Sequence, residues 1–397
     1  MHCRNSALAR ASKVAAVHRR GDGSRRRRFA RQMMLLVGAG VVVAAGAQSA
    51  VAADWSIQTA PRPAHAGATE LSGVSCTSTR DCMAVGQSVP PSTLEPIPLV
   101  EHWNGTSWSV ERTPIPAHAG WAGELGAVSC ASSGACMAVG FYFDNESGLA
   151  PLAERWNGSF WAIEPTPPGL EASEFYGVSC TSSSACTAVG SGSNAFAARW
   201  NGKRWSVDQS NFGSSPELLG VSCLSTGTCA VVGADDIGLC AYGYSDYFVP
   251  MFGFWRSGLW SLRQRPNLGC SNSSDSGGGN GLNEVSCTSP TACIAVGTEV
   301  YRWDGRRWKT QQAPNDGDEL DGVSCTASSA CTAVGSDIDT WNGRSWASLP
   351  ITRPAHATDA GLSSVSCTSQ ASCVAVGTYE DRKGNDRLLV ESTGIGS

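Results

Sequence analysis

The chain has 397 residues, only 16% of them charged, with 45 glycines, 14 tryptophans and 17 cysteines. A hydrophobic fraction of 42% suffices for a sizeable core and argues against wholesale disorder. The formal charge of −5 hides an asymmetry: residues 1–53 hold ten of the 29 Lys and Arg and one of the 34 acids, so the remainder carries a net −14. A surface that acidic argues against a nucleic-acid partner, because phosphate-backbone binding rests on Lys and Arg.

The amino terminus reads as an export signal. Arg25, Arg26, Arg27 and Arg28 precede an apolar run from Met33 to about Ala47, and the small residues Ala50, Val51, Ala52 and Ala53 follow. A positive region, an apolar region and an A-x-A site are the parts of a signal peptide, with cleavage expected after Ala52. The run is short for a membrane span of about 20 residues, so a retained anchor is the second reading. Arg26-Arg27-Arg28-Phe29 loosely resembles a twin-arginine signal. The expected organisation is a signal at 1–52 and one domain at 53–397, secreted or held in the cell envelope.

The domain is one motif written seven times. V-S-C ends at Cys76, Cys130, Cys180, Cys223, Cys287, Cys325 and Cys367, and six residues later stand Cys82, Cys136, Cys186, Cys229, Cys293, Cys331 and Cys373. Each second cysteine leads into a short run ending in V-G. Six copies then reach W-x4-W: Trp103/Trp108, Trp156/Trp161, Trp200/Trp205, Trp255/Trp260, Trp303/Trp308 and Trp341/Trp346. A period of roughly 40–60 residues with strand-like content points to a β-propeller rather than a solenoid.

Each copy reads as four short strands, A to D; in the second copy they are expected at about 125–130, 136–141, 152–156 and 160–164. Asn157-Gly158 reads as a two-residue type I′ hairpin turn between C and D. Small residues fill the two inner strands and tryptophans the outer pair, the taper a blade requires. The seventh copy ends at Ser397 without strand D, whereas residues 54–61 match the D strand at 108–114. The predicted fold is therefore all-β: a seven-bladed β-propeller of four-stranded blades, closed by the N-terminal strand completing the last blade.

W-N-G-x-x-W at the C–D hairpin resembles the Asp-box S-x-D-x-G-x-x-W of the broad BNR, sialidase-like group of secreted propellers. The Ser and Asp of that box are absent, with Asn or Asp only immediately before glycine, so the resemblance implies a fold and not an activity. The whole repeat, V-S-C-x5-C-x-A-V-G…W-N-G-x-x-W, also resembles uncharacterised secreted repeat proteins of high-GC bacteria.

Cys3 lies in the signal, and the repeats use fourteen of the other sixteen cysteines. C-x5-C places its pair across the A–B hairpin; it is not a common zinc spacing and no histidine accompanies it, so seven intrablade disulfides are expected. Each closes a loop of about seven residues, a chain-entropy contribution of roughly 2–2.5 kcal/mol. Cys240 and Cys270 fall in the long B–C and D–A loops of the fourth blade and are expected to pair with each other.

Length variation is confined to the B–C and D–A loops, which share one face and are expected to carry binding. Candidate ligand contacts there are Trp121, Phe143, Asp144, Asp235, Asp236, Tyr242, Tyr244, Asp246, Tyr247, Phe248, Glu380 and Asp381. Rings that stack and carboxylates that accept hydroxyl or amine protons suit a glycan or a peptide; packing of the loops on one another is the plainer reading. The repeated Pro-Ala-His motif at His65, His118 and His356 could suggest a metal, but loops of adjacent blades lie about 10 Å or more apart, too far for ligands at about 2 Å. Residues 316–321 lack the twelve-residue calcium pattern.

No arginine occurs in any V-S-C or A-V-G inner strand, and no F-R-I-P segment, G-x-S-x-G or H-E-x-x-H supports a sialidase or another hydrolase. The expected function is a non-catalytic binding module for a glycan or an extracellular or envelope protein, monomeric and without cofactor or metal. The alternative is a glycoside hydrolase or lyase using two loop carboxylates.

Overall fold

The computed structural model describes residues 54–397 except 65, 209–215, 240–245, 257, 265–280, 314–318 and 396–397. The signal segment and the Cys240–Cys270 pairing therefore lie outside the described residues. Seven four-stranded antiparallel sheets form seven blades, so the predicted architecture is the observed one.

Strands A to D of blade one are Ala68–Ser78, Asp81–Val89, Ile97–Trp103 and Trp108–Glu111. Blade two comprises Ala119–Ser132, Ala135–Asp144, Gly148–Trp156 and Trp161–Ile163, and blade three Glu174–Ser182, Ala185–Ser191, Ala195–Trp200 and Trp205–Asp208. In blade four they are Pro216–Ser225, Thr228–Leu239, Asp246–Arg256 and Leu259–Gln264. Blade five has Leu282–Ser289, Ala292–Gly297, Val300–Trp303 and Trp308–Gln311; blade six has Leu320–Ala327, Ala330–Gly335, Asp337–Trp341 and Trp346–Pro350. Blade seven takes Asp359–Ser369, Ser372–Glu380 and Asp386–Thr393 from the far end of the chain, and its fourth strand is Ser56–Ile57. Ser56 pairs with Ser392 and Ile57 with Glu391, which closes the ring as the complementary termini require.

The repeat motif has a physical reason at each position. In every blade the two cysteines face each other across the A–B ladder and are bonded, with Cα atoms 3.9–4.0 Å apart. Seven such bridges fit an extracellular location, where thiols are not kept reduced. The serine of V-S-C ties each blade to the next. The amides of Cys130, Cys180 and Cys223 donate to Oγ of Ser75, Ser129 and Ser179 of the preceding blade, each at 2.9 Å. Cys287, Cys325 and Cys367 donate likewise to Ser222, Ser286 and Ser324. Cys76 donates to Ser366 at 3.0 Å, so the seven bonds form a closed circle through the seam between the last blade and the first.

The V-G glycine answers to a close backbone approach. A Cβ on Gly140 would stand 2.1 Å from the carbonyl oxygen of Glu124, and one on Gly86, Gly190 or Gly233 would meet the equivalent oxygen at 1.8–2.0 Å. A bulge in strand A two residues later permits that approach. Gly140→Ala is expected to cost about 1–3 kcal/mol through the forced shift, read as a lower midpoint in a thermal melt.

The outer hairpin departs from the two-residue turn expected of Asn-Gly. Trp156 pairs directly with Trp161, so four residues make the turn. Asn157 keeps an ordinary φ, and its Oδ1 accepts the amides of Ser159 and Phe160 at 3.0 and 3.1 Å, while Gly158 alone takes the left-handed region, at φ 93°. Asx capping replaces the second positive φ that a type I′ turn needs. Asn104, Asn201, Asp304 and Asn342 cap their turns in the same way. In blades one, two, three, five and six the first tryptophan of the pair then fastens this hairpin to the disulfide turn: Trp103 Nε1 donates to the Thr79 carbonyl at 3.2 Å and Trp156 Nε1 to that of Ser133 at 3.1 Å.

Core packing lies between blades rather than within them. Leu99, Trp103 and Trp108 of blade one pack on Val374, Val376 and Val390 of blade seven, and the same contact recurs around the ring. Among the described residues no helix is long and apolar enough to cross a membrane.

Candidate functional site

The face carrying the B–C and D–A loops is built differently in each sector. In blade two the inner strands run on past their expected limits, so Trp121, Phe143 and Asp144 sit on a strand extension and not in loops. The sequence Phe141-Tyr142-Phe143 alternates across that ladder, and aromatic pairing extends it. Trp121 lies flat on Phe143, ring centroids 5.8 Å apart and planes 7° apart, and meets Phe141 edge-on at 5.8 Å. Phe143 remains 39% exposed, which leaves an aromatic platform at the rim. Asp144 closes the turn below it: its Oδ1 accepts the amides of Glu146 and Ser147 and the Ser147 hydroxyl, and these bonds hold its carboxyl below the usual range.

In blade four, strands B and C also run on. Asp235 pairs with Val249, Asp236 with Phe248 and Leu239 with Asp246, which puts Asp235, Asp236, Asp246, Tyr247 and Phe248 on strands instead of loops. Asp235 is buried. Tyr242 and Tyr244 lie outside the described residues.

In blade seven, Glu380 pairs with Asp386, and Asp381 is spent on its own turn. Its carboxylate accepts the amides of Lys383 and Asn385, the Asn385 side chain, and Arg387 Nε and Nη2 at 3.0 and 2.8 Å. Those bonds hold Asp381 far below the usual carboxylate range. Arg387 also donates to the Gly67 carbonyl at 2.7 Å and so joins blade seven to the loop entering blade one. Blades two, four and seven are not neighbours in the ring, so the described candidates lie in three separate sectors.

The Pro-Ala-His repeats have a conformational explanation. The amides of Ala66, Ala119 and Ala357 donate to the carbonyls of Pro63, Pro116 and Pro354, so each motif is one β-turn. His65 and residues 314–318, within the acidic stretch weighed as a calcium loop, lie outside the described residues.

A second acidic feature carries the more regular geometry. Six residues before the first cysteine, at the head of strand A, stand Glu70, Glu124, Glu174, Glu217 and Glu319, with Gly281 and Gly361 in the remaining blades. The A strands touch one another around the axis: a Cβ on Gly73 would stand 3.0 Å from Ala127 Cα, and one on Gly322 2.9 Å from Ser364 Cα. At the level of the backbone the five glutamates therefore form a ring of positions around the axis, toward the loop face. Gln87 donates to Glu70 at 3.0 Å, and burial followed by the nearby Asp386 pushes the Glu70 carboxyl up. The Tyr176 hydroxyl donates to Glu174.

The A strands of blades five and six carry two more carboxylates. Glu284 occupies the position that is Gly, Ala or Ser in the other blades, with its Cα packed against Gly220. Burial raises its pKa to about 8, against the opposing pull of the Val285 amide. Asp321 is raised to about 7 by burial and by Glu319. Asn283 bridges the two blades, its Nδ2 lying 3.0 Å from Glu319 Oε1 and 3.4 Å from Asp321 Oδ1. The signal for this ring was present in the sequence as a glutamate at one repeat position, but loop length drew the reading to the rim instead.

No family model matches the chain, and no curated protein does either. Solved structures do. The chain is similar to YCF48 from Cyanidioschyzon merolae at 13% identity and a TM-score of 0.52, over 86% of this chain and 99% of that one. YCF48 bound to D1 peptide matches at 13% identity and 0.52, over 85% and 96%. The WD40 repeats of RRP9 match at 10% and 0.53, over 86% and 97%. At such identities the likeness shows the propeller fold.

Proposed function

We propose that this is a secreted, non-catalytic binding propeller that holds a cationic peptide segment of an extracellular or envelope protein at the channel mouth on the loop face. The observation that carries the reading is the register: five glutamates at one repeat position near the axis, with Glu284 and Asp321 on the same strands of blades five and six. Clustered carboxylates on low-dielectric walls attract and orient a cation. A propeller of the same fold holding the D1 peptide supports a peptide-binding role for the architecture. The hydrolase reading is weaker, because its carboxylates sit in three separated blades and Asp144 and Asp381 cap their own turns.

The Trp121–Phe143 platform favours a second reading, a glycan stacked on exposed rings. The two are separated by screening a Lys/Arg-rich peptide array and a glycan array with the same oxidised protein. Bound peptides should lose at least tenfold in affinity in Glu70→Gln/Glu124→Gln/Glu217→Gln and little in Trp121→Ala. Because burial holds Glu284 partly protonated near neutrality, binding at pH 7 should also release protons, measurable by calorimetry in buffers of different ionisation enthalpy. Glycan binding abolished by Trp121→Ala, with no peptide bound, would reverse the assignment.

A further inference from the structure

The opposite face, made by the A–B and C–D turns, has the other sign of charge. Residues 54–397 are strongly acidic overall, yet the C–D turn tips of blades three to six carry Lys203 and Arg204, Arg256, Arg306 and Arg307, and Arg344, all exposed. Asp304, in the middle of this set, is already neutralised. It caps its own turn and pairs with Lys309 at 2.8 Å, which holds its carboxyl far below the usual range and leaves Arg306 and Arg307 outside every ion pair among the described residues.

Two large apolar side chains are interleaved with these cations. Phe160, at the blade two tip, is 59% exposed, and Leu259, at the blade four tip, is 75% exposed. Both stand immediately before the second tryptophan, where blades three and five have Arg204 and Arg307. Equivalent turns of a closed ring lie near one plane, so these tips present a flat surface of cations and apolar side chains. A flat, deformable anionic surface fits that pattern better than a pocketed protein partner does. Salt screens fixed charge over about 8–10 Å, so a surface meeting this face senses the basic tips and little of the acidic loops behind them.

Chain direction points the same way. Strand Ser56–Ile57 runs antiparallel to Asp386–Thr393, which itself ends at the C–D side, so residue 54 enters the propeller on the basic face.

We propose that the C–D turn face of blades two to six docks on an anionic lipid bilayer. Phe160 and Leu259 enter the headgroup region, while Lys203, Arg204, Arg256, Arg306, Arg307 and Arg344 meet lipid phosphates. The loop face, with its acidic channel mouth, then points away from the membrane. This proposal is independent of what that mouth binds.

Vesicle flotation with residues 54–397, a propeller closed on itself, tests it. Binding is expected to vesicles of equal phosphatidylglycerol and phosphatidylcholine at 0.1 M salt, to fall steeply by 0.5 M, and to be absent on phosphatidylcholine alone. Each cation removed should weaken partitioning by about fivefold, so Lys203→Ala/Arg204→Ala/Arg306→Ala/Arg307→Ala should lose at least a hundredfold. Phe160→Ser/Leu259→Ser should weaken it by tenfold or more, whereas Arg382→Ala/Lys383→Ala on the opposite face should bind as the parent does. Near-ultraviolet circular dichroism confirms that each variant is folded. Failure to bind anionic vesicles, or equal binding by the fourfold variant, overturns the proposal. Vesicle binding indifferent to Phe160 and Leu259, with soluble polyphosphate competing fully, overturns it in favour of a polyanionic polymer.

Discussion

Deleting residues 54–61 will lower the melting midpoint by roughly 5–15 °C and make the protein aggregate, although the segment pairs only two residues in register. Its contribution is larger than its ladder. Gln58 N adds a bond to the Val390 carbonyl at 2.8 Å, and Trp55 packs against the core between blades six and seven, with Val334, Ile338 and Ile351. Ala60 extends the cover over the core between blades seven and one. Losing a tryptophan from such a site costs about 3–5 kcal/mol. Deletion also bares strand Asp386–Thr393 as an unpaired edge, and such edges template association. Trp55→Ala separates the two effects: it removes the packing and keeps the edge covered, so it should lower the midpoint without aggregation. Calorimetry and light scattering read the two quantities. A deletion variant that melts with the parent and does not aggregate would mean that the circle of seven serine bonds holds the seam unaided.

The repeat made most of the fold legible, because every blade solves the same packing problem with the same residues. Two fixed spacings, C-x5-C and W-x4-W, locate the two turns of one face, and the missing D strand of the last copy locates the seam. The Asn157-Gly158 turn was misread for a local reason: Asn can reach back to cap two amides, so one positive φ suffices where a two-residue turn needs two. Loop extents were misread because alternating aromatics such as Phe141 and Phe143 pair with Trp121 and prolong a ladder that composition alone ends earlier. The serine of V-S-C looked like a strand residue of no consequence. Its bond runs to a neighbouring blade 39–65 residues away in the chain, and 290 residues away at the seam, a relation no local pattern carries. Buried acids were missed for the opposite reason: a glutamate in a short strand reads as solvent-facing until blades are stacked on both of its sides.

Those buried acids give the last expectation. Glu101, Glu154, Asp339 and Glu391 occupy the same place in strand C of blades one, two, six and seven, two residues before the tryptophan position, and all are buried. Glu391 accepts the Thr352 amide at 2.7 Å. In the matching Pro-Ala-His loops Thr352 is replaced by Pro61 and Pro114, which have no N–H to offer, and neither oxygen of Glu101 or Glu154 has a hydrogen-bond partner. Burial accordingly pushes both carboxyls up to about 8. A folded-state pKa above the unfolded value means the native state holds a proton that the unfolded chain releases. The stability this represents is complete below about pH 4.5 and is lost as pH rises through about 8. Between those limits each carboxyl contributes a fall of up to about 1.4 kcal/mol per pH unit, the two together a decline of several kcal/mol. The propeller is therefore expected to melt lower at pH 8.5 than at pH 5.5. Glu101→Gln/Glu154→Gln should flatten that slope and raise the midpoint at pH 8.5 while changing little at pH 5.5, because glutamine has the shape and neutrality of the protonated acid. Pro114→Ala, which restores an amide beside Glu154, should lower the pKa of that carboxyl and flatten the slope by part of the same amount. A double glutamine variant with the parent's pH profile would show that both carboxylates are ionised in the folded protein.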